Sequence, residues 1–293
     1  MKTAVVVGGS GFIGSHVADC LSEEGYQVTI FDQKESKWLK SGQVMSIGDI
    51  SEFDKLEEVC RGVNVVYNFA AVADLDEAAS DPFSTAKINV LGNVNVMDAC
   101  RINSVSRYVY ASTVYVYSRH GGFYRCSKQA AESYIEEYQK RFNLDYTILR
   151  YGSLYGPRSD QHNGLWRIVN KAVRSGVIQY TGSPESMREY IHVKDAARAS
   201  VAALDDQFRN QHLILTGQEQ MRVHDLLKML SEILGISDAI QFVDSESREG
   251  HYLRTPYAYQ PRIGRKYVMP LHVDLGQGLL ELISQIEAED HVE

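Results

Sequence analysis

With 293 residues, 44% of them apolar, the chain is long enough for one large core or for a large and a small domain. A net charge of −8 argues against a general nucleic-acid or anionic-membrane surface, but leaves room for a small anionic ligand held by a few arginines. No apolar run reaches the roughly 18–20 residues of a membrane span, and the four cysteines (Cys20, Cys60, Cys100, Cys126) are scattered without a CxxC pair, which points to a reducing cytoplasm without disulfides or zinc.

The first half alternates strand-like and helix-like segments. Ala4–Val7 is a short apolar run, too short before the glycines for a signal peptide, and reads as a buried strand. Residues 12–24 follow with helical spacing through Ile13, Val17 and Leu21. Gln27–Phe31 and Val44–Ile47 read as strands, 52–60 as a helix and Val63–Phe69 as a very apolar strand. A long helix is predicted over 83–102, a strand over Arg107–Ala111, a helix over 124–142 and a strand over Tyr146–Leu149. The alternation implies an α/β fold, a doubly wound parallel sheet of Rossmann type covered on both faces.

After Gly156-Pro157 the rhythm changes. A helix near 164–175, strands at Ile178–Tyr180 and in REYIHV, a helix over 195–205, a strand at His212–Leu215 and a helix at 223–234 are expected. Residues 244–270 read as irregular, and a last helix is predicted over 275–288. The expectation is a cofactor domain over 1–155, to which segments near 188–215 return, and a smaller α/β substrate domain over most of 156–293.

The segment VVVGGSGFIGS puts Gly8, Gly11 and Gly14 between a strand and a helix that opens with Phe12 and Ile13. A backbone that must turn sharply and touch a pyrophosphate needs small residues there, and the helix start offers free N–H groups. Asp32 ends the second strand, 18 residues after Gly14, where a carboxylate accepts from ribose hydroxyls and repels a 2′-phosphate, so NAD is favoured over NADP. Asp49, followed by Ile50, is placed to bond the adenine amino group; an ordinary turn aspartate is the alternative.

Tyr-xxx-Lys occurs twice, at Tyr124/Lys128 and Tyr190/Lys194. Tyr124 begins a helical pattern, so its pair shares one face, about 5–6 Å apart at Cβ. Tyr190 lies in a strand-like run, where four residues span roughly 13 Å. Only the first pair can act together. A tyrosine is a base at neutral pH only if a neighbouring cation favours its phenolate.

Together GGSGFIGS, NFAA (Asn68–Ala71), NVLGNVNVMDAC (Asn89–Cys100), YASTVYVYS, YRCSK, RYGSLYGPR and REYIHVKDAARA resemble the extended short-chain dehydrogenase/reductases, notably the nucleotide-sugar epimerases and dehydratases. The resemblance implies NAD as cofactor and a nucleotide-linked sugar as substrate. It assigns Thr113, Tyr124 and Lys128 to catalysis, with Ser112 the rival of Thr113. It adds Phe69, Ala70, Ala71, Asn89 and Tyr151 to the cofactor site, and Ser153, Arg188 and Arg254 to the substrate. Tyr252, Tyr257 and Tyr259 are either stacking groups or a packed loop. The histidines have no metal-ligand spacing.

Three departures from the family stand out: five residues between YVYS and Tyr124, Ser153 in place of asparagine, and Cys126 in place of a small residue. The dehydratases carry an Asp and a Glu after the strand-five Thr; here Val114 and Tyr115 follow, so elimination would need a carboxylate from elsewhere, such as Asp74 or Glu249. The expected activity is therefore epimerisation, with net dehydrogenation or reduction, or a non-catalytic NAD-binding regulator, as alternatives. The apolar excess on 83–102 and 124–142 (Ile88, Val90, Leu91, Val94, Val96, Met97, Tyr134, Ile135, Tyr138), with the family's usual four-helix contact, implies a homodimer.

Overall fold

The computed structural model describes residues 2–218, 220–236 and 240–243. Six strands of the first half, β1 (Thr3–Val7), β2 (Gln27–Asp32), β3 (Val44–Ile47), β4 (Val65–Asn68), β5 (Arg107–Thr113) and β6 (Tyr146–Tyr151), are joined by β10 (Gln211–Leu215) in one parallel sheet of order β10-β6-β5-β4-β1-β2-β3. The order reverses between β1 and β4, and every strand ends at the same edge, which is where open sheets of this kind bind ligands.

Alternation along the strands explains the uniformly apolar runs. On β1, Val5 and Val7 enter one core and Ala4 and Val6 the other. The first core packs α2 (Phe53–Cys60), α5 (Asn93–Ile102) and α6 (Gly122–Phe142) through Leu56, Met97 and Ile135. The second packs α1 (Phe12–Glu23) and α8 (Val193–Ala202) through Val17, Leu21 and Ala197. The hydroxyls of Tyr67 and Tyr151 bond Ser200 of α8, its carbonyl at 3.0 Å and its Oγ at 2.6 Å.

The predicted helix over 83–102 is interrupted. Between α4 (Pro82–Ala86) and α5 lies a π-helical turn, Lys87–Gly92. Such a turn shifts the phase of the side chains, and it is common at functional sites. Sequence spacing also missed α3 (Leu75–Ser80), only six residues long and capped by the Asp74 carboxylate.

The second half contains β7 (Ser153–Tyr155), α7 (Gly164–Ser175), β8 (Ile178–Thr181), β9 (Met187–His192), β11 (Gln220–Arg222), α9 (Val223–Leu234) and β12 (Ile240–Val243). They form two small sheets, β11-β9-β7 and β12-β8, and a third core around Ala172, Ile178, Val223 and Leu227. The irregular stretch and last helix expected beyond residue 243, with Glu249, Tyr252, Arg254, Tyr257 and Tyr259, lie outside the described residues.

Candidate active site

The glycine loop is closed by backbone contact. Gly8 has φ +76°, and a Cβ there would stand 2.6 Å from Ala70 N. A Cβ on Gly14 would meet the Gly8 carbonyl oxygen at 2.4 Å. Gly11, by contrast, has room within a few tenths of an ångström, its nearest neighbour being Gly8 O at 3.3 Å. Gly9, which the spacing argument passed over, is constrained like Gly8 and Gly14: its Cβ would lie 2.8 Å from Val6 O. The adjacent glycine in GGSG was the available signal. α1 starts without a side-chain cap, so the N–H groups of its first turn, with Phe12 and Ile13, face the carboxyl edge of the sheet.

Asp32 stands at that edge beside the loop. Its Oδ2 accepts from Ser10 N at 3.0 Å and its Oδ1 from Lys34 N at 3.1 Å, which leaves one further lone pair on each oxygen. Asp49 is more committed: Oδ1 accepts from Ser51 N at 2.7 Å and Ser51 Oγ at 2.5 Å, and Oδ2 from Gln33 Nε2 at 2.5 Å. These bonds, those from Ser51 first, hold its carboxyl below the usual range. Ile50 packs in the core, and its carbonyl accepts from Asn95 Nδ2 at 3.1 Å.

β5 carries the next group. Asn68 of β4 pairs with Tyr110, and Thr113 lies three residues further on, about 10 Å beyond that row. Thr113 therefore projects past the sheet edge, where a 3-10 turn, Val114–Tyr117, begins. Its Oγ1 accepts from Tyr115 N at 3.2 Å and also hydrogen-bonds the Tyr124 phenol. Ser112 points inward, its Oγ donating to Glu132 Oε1 at 2.5 Å. Of the two hydroxyls, it is that of Thr113 that bonds the Tyr124 phenol.

Tyr124 and Lys128 lie one turn apart on α6, with Lys128 Nζ 5.8 Å from the Tyr124 ring centroid. Lys128 is only 2% exposed. Its ammonium donates to the Ala111 carbonyl at 2.7 Å and sits 4.6 Å from the Tyr110 ring centroid. Burial disfavours both charged forms: the phenol of Tyr124 is pushed up to about 12, against the pull of its bond to Thr113, and the amine of Lys128 down to about 7, against the charge of Glu132. Tyr190 lies in β9 and Lys194 in α8, so the second Tyr-xxx-Lys is split between two elements.

Asn89, on the π-helical turn, fastens this constellation. Its Oδ1 accepts from Val72 N at 2.8 Å, and its Nδ2 donates to Val72 O at 3.0 Å and Ser127 Oγ at 2.9 Å. It ties the loop after β4 to the stretch between Tyr124 and Lys128.

Residues 4–216 match the family described as the NAD dependent epimerase/dehydratase family. The chain belongs to that family.

A Methanocaldococcus jannaschii protein that carries the provisional name UDP-glucose 4-epimerase is 29% identical over 276 residues, 85% of this chain and 88% of its own length. A UDP-N-acetyl-alpha-D-glucosaminuronate decarboxylase of Bacillus cytotoxicus is 24% identical, covering 96% of this chain and 97% of its own. Among solved structures, the UDP-glucose 4-epimerase of Thermotoga maritima with UDP-glucose superposes with a TM-score of 0.80 at 26% identity, over 88% of this chain and 90% of that one. As a member of the epimerase/dehydratase family, the chain is an NAD-dependent enzyme of the extended short-chain dehydrogenase/reductase type.

The site fits a dinucleotide. A Cβ at Gly8 or Gly14 would strike neighbouring backbone and force apart the tight turn that a pyrophosphate-binding loop requires, and Asp32 retains acceptor capacity for ribose hydroxyls. Phe69, Ala70 and Ala71 follow β4 at the switch point, partly exposed. The Tyr151 ring is buried, its hydroxyl bonds Ser200, and its backbone is paired with Thr113 and Leu215 in the sheet. The amide of Asn89 is likewise used within the protein.

On the substrate side, Ser153 is partly exposed on β7. Arg188 is buried on β9, not solvated, with Nη1 donating to the Met187 carbonyl at 3.0 Å. Tyr155 packs edge-on against Tyr190 and His192. Sequence reasoning did not find the group formed by Ser112, Glu132, Arg150 and His212, whose members lie far apart in the chain. Among the described residues, no three or more His, Cys, Asp or Glu are placed to hold a metal, and no helix is long and apolar enough to cross a membrane.

Proposed function

We propose that this enzyme interconverts epimers of a nucleotide-linked hexose, at C4, keeping NAD bound through the cycle. NAD would be held by the loop of Gly8, Gly11 and Gly14, by the first turn of α1 and by Asp32, and it supplies the hydride acceptor and donor. Tyr124 takes the proton of the reacting hydroxyl and returns it. Thr113 holds that oxygen by a second hydrogen bond. Lys128 supplies positive charge beneath the tyrosine and a donor for the nicotinamide ribose. Arg188 and Ser153 are proposed to contact the nucleotide sugar, and soluble, cytoplasmic action is the expected setting.

The observation that carries epimerisation over elimination is the surrounding of Thr113. Val114 is buried and has no proton to transfer, and Tyr115 packs edge-on against Tyr124 at 6.4 Å between centroids. Asp74, one of the two alternatives suggested by the sequence, caps α3 and pairs with Arg167 at 3.3 Å. Those bonds outweigh its burial and hold its carboxyl below the usual range, so it stays ionised and carries no proton to donate.

The test is incubation with UDP-glucose and UDP-galactose, followed by NMR for the epimer, mass spectrometry for loss of water, and absorbance for released NADH. Interconversion without either side product is the expected result. Stoichiometric loss of water would make the enzyme a dehydratase, and accumulating NADH a net dehydrogenase. NAD binding with no turnover of any nucleotide sugar would leave a regulator.

A further inference from the structure

Glu132 lies one turn beyond Lys128 on α6, on the same face. Its carboxylate accepts from Arg150 Nε at 3.1 Å, from Arg150 Nη2 at 2.6 Å and from Ser112 Oγ at 2.5 Å. The Glu132 and Arg150 side chains are only 8% and 13% exposed. Arg150 also bonds the Tyr117 hydroxyl, and its Nη2 lies 2.7 Å from His212 Nδ1. On the far side of that ring, His212 Nε2 is 3.3 Å from Glu136 Oε1 and 3.4 Å from the Tyr146 hydroxyl. Burial first, then the Arg150 charge, pulls the His212 imidazole down, so it stays neutral at physiological pH.

A buried ion pair is a poor source of stability, because desolvation of the two charges offsets their attraction; well-packed apolar residues do as well. This pair has a different justification in its position. Ser112, which it holds, directly precedes Thr113. Lys128 stands between it and Tyr124. The groups facing the Lys128 amine are the Ala111 carbonyl, the rings of Tyr110 and Tyr124, and Glu132. The Tyr110 hydroxyl is buried without a hydrogen-bond partner and offers no negative charge. Among these groups, Glu132 alone is an anion.

We infer that Glu132 is a positioning residue for the reaction proposed above: through Ser112 it pins the Thr113 end of β5 to α6, and its carboxylate places a negative charge one helical turn from the buried Lys128 amine, favouring the ammonium. Arg150 holds that carboxylate in place by two hydrogen bonds. The inference rests on the reading of Tyr124 and Lys128 as the catalytic pair. Burial draws the Lys128 amine toward neutral pH, and Glu132 opposes that shift. Without the anion, Lys128 gives up its proton at a lower pH, and the support it lends to the Tyr124 phenolate goes with it.

The test uses the full chain labelled with carbon-13 at lysine Cε, with the Lys128 signal assigned by its loss in Lys128→Met. The titration midpoint of that signal is compared between the parent and Glu132→Gln. We expect the midpoint to fall by roughly one pH unit, and the alkaline limb of kcat/KM for UDP-galactose to move down with it. Glutamine leaves the Arg150 charge buried without its partner, so a Glu132→Gln/Arg150→Gln double variant provides the same measurement without a stranded cation. An unchanged midpoint in a folded variant would overturn the inference. A lowered midpoint in a protein that turns over no nucleotide sugar would uphold the charge coupling and sink the epimerase reading alone.

Discussion

Tyr124 and Lys128 present an energetic conflict inside a few ångströms. The reaction calls for a phenolate near an ammonium, while burial favours a neutral phenol and a neutral amine. The site is therefore held in a state that costs stability. Burial draws the Lys128 amine in the folded chain down to about 7, well below the 10.5 of a free lysine. The penalty of burying its charge is thus complete below pH 7 and fades as the pH rises toward the unfolded value. Lys128→Met should raise stability by on the order of 1–3 kcal/mol at pH 6 and by clearly less at pH 9.5. Denaturant unfolding at the two pH values checks this; an equal gain at both would show that Lys128 is not buried as a charge. Tyr124→Phe should leave the fold and NAD binding intact and reduce turnover on the order of 10²–10⁴-fold, since it removes the proton acceptor. Activity within tenfold of the parent would remove Tyr124 from the mechanism.

At the scale of elements, the sequence was informative where a segment had a strong period or a local rule. The parallel strands, α1, α6 and the choice of Tyr124/Lys128 over Tyr190/Lys194 all followed from spacing. The π-helical turn did not, because a one-residue shift within an apolar run leaves the 3.6 period nearly unchanged over six residues. α3 was too short to show a period. The partners of Ser112 and Asn89 come from distant elements, so their bonds became visible only once the sheet and α6 were assembled. Glu132, four residues after Lys128, was the one local hint of the buried ion pair. The glycines allow a sharper test of the loop. Gly14→Ala drives a Cβ into the Gly8 carbonyl and should cost about 1–3 kcal/mol or more, with loss of NAD binding. Gly11→Ala, which meets backbone only at 3.3 Å, should stay within about 1 kcal/mol of the parent. Similar losses for both would mean that the loop is not packed as described.

At the scale of the whole molecule, part of the apolar excess on the predicted helices has an internal explanation. Val96, Met97 and Ile135 are buried in the chain's own core. What remains exposed on α4, the π-helical turn, α5 and α6 is Phe83, Leu91, Ile102, Phe123, Tyr134 and Phe142, with Phe83 78% and Leu91 62% exposed. Large apolar groups on neighbouring helices mark an association surface. A homodimer through these helices is the expected state, and light scattering at micromolar concentration should return twice the chain mass. Leu91→Glu together with Phe83→Glu should return the monomer; a parent protein that is already monomeric would remove the expectation.

The sheet's outermost strand has a consequence for how such a protein can be taken apart. β10 is added to β6 only after the chain has passed through β7, α7, β8, β9 and α8, and α8 covers Tyr67 and Tyr151 on the way. A fragment ending near residue 155 would therefore present β6 as a raw edge, with Leu149 and Tyr151 uncovered and two tyrosine hydroxyls deprived of Ser200. The cofactor half is not a cassette. Exchanging substrate halves between relatives by one crossover would separate the sheet from its own lid and margin, so a viable graft must carry α8 and β10 along with the first half and replace together the segments before α8 and those after β10, whose β11 and β12 pair with β9 and β8.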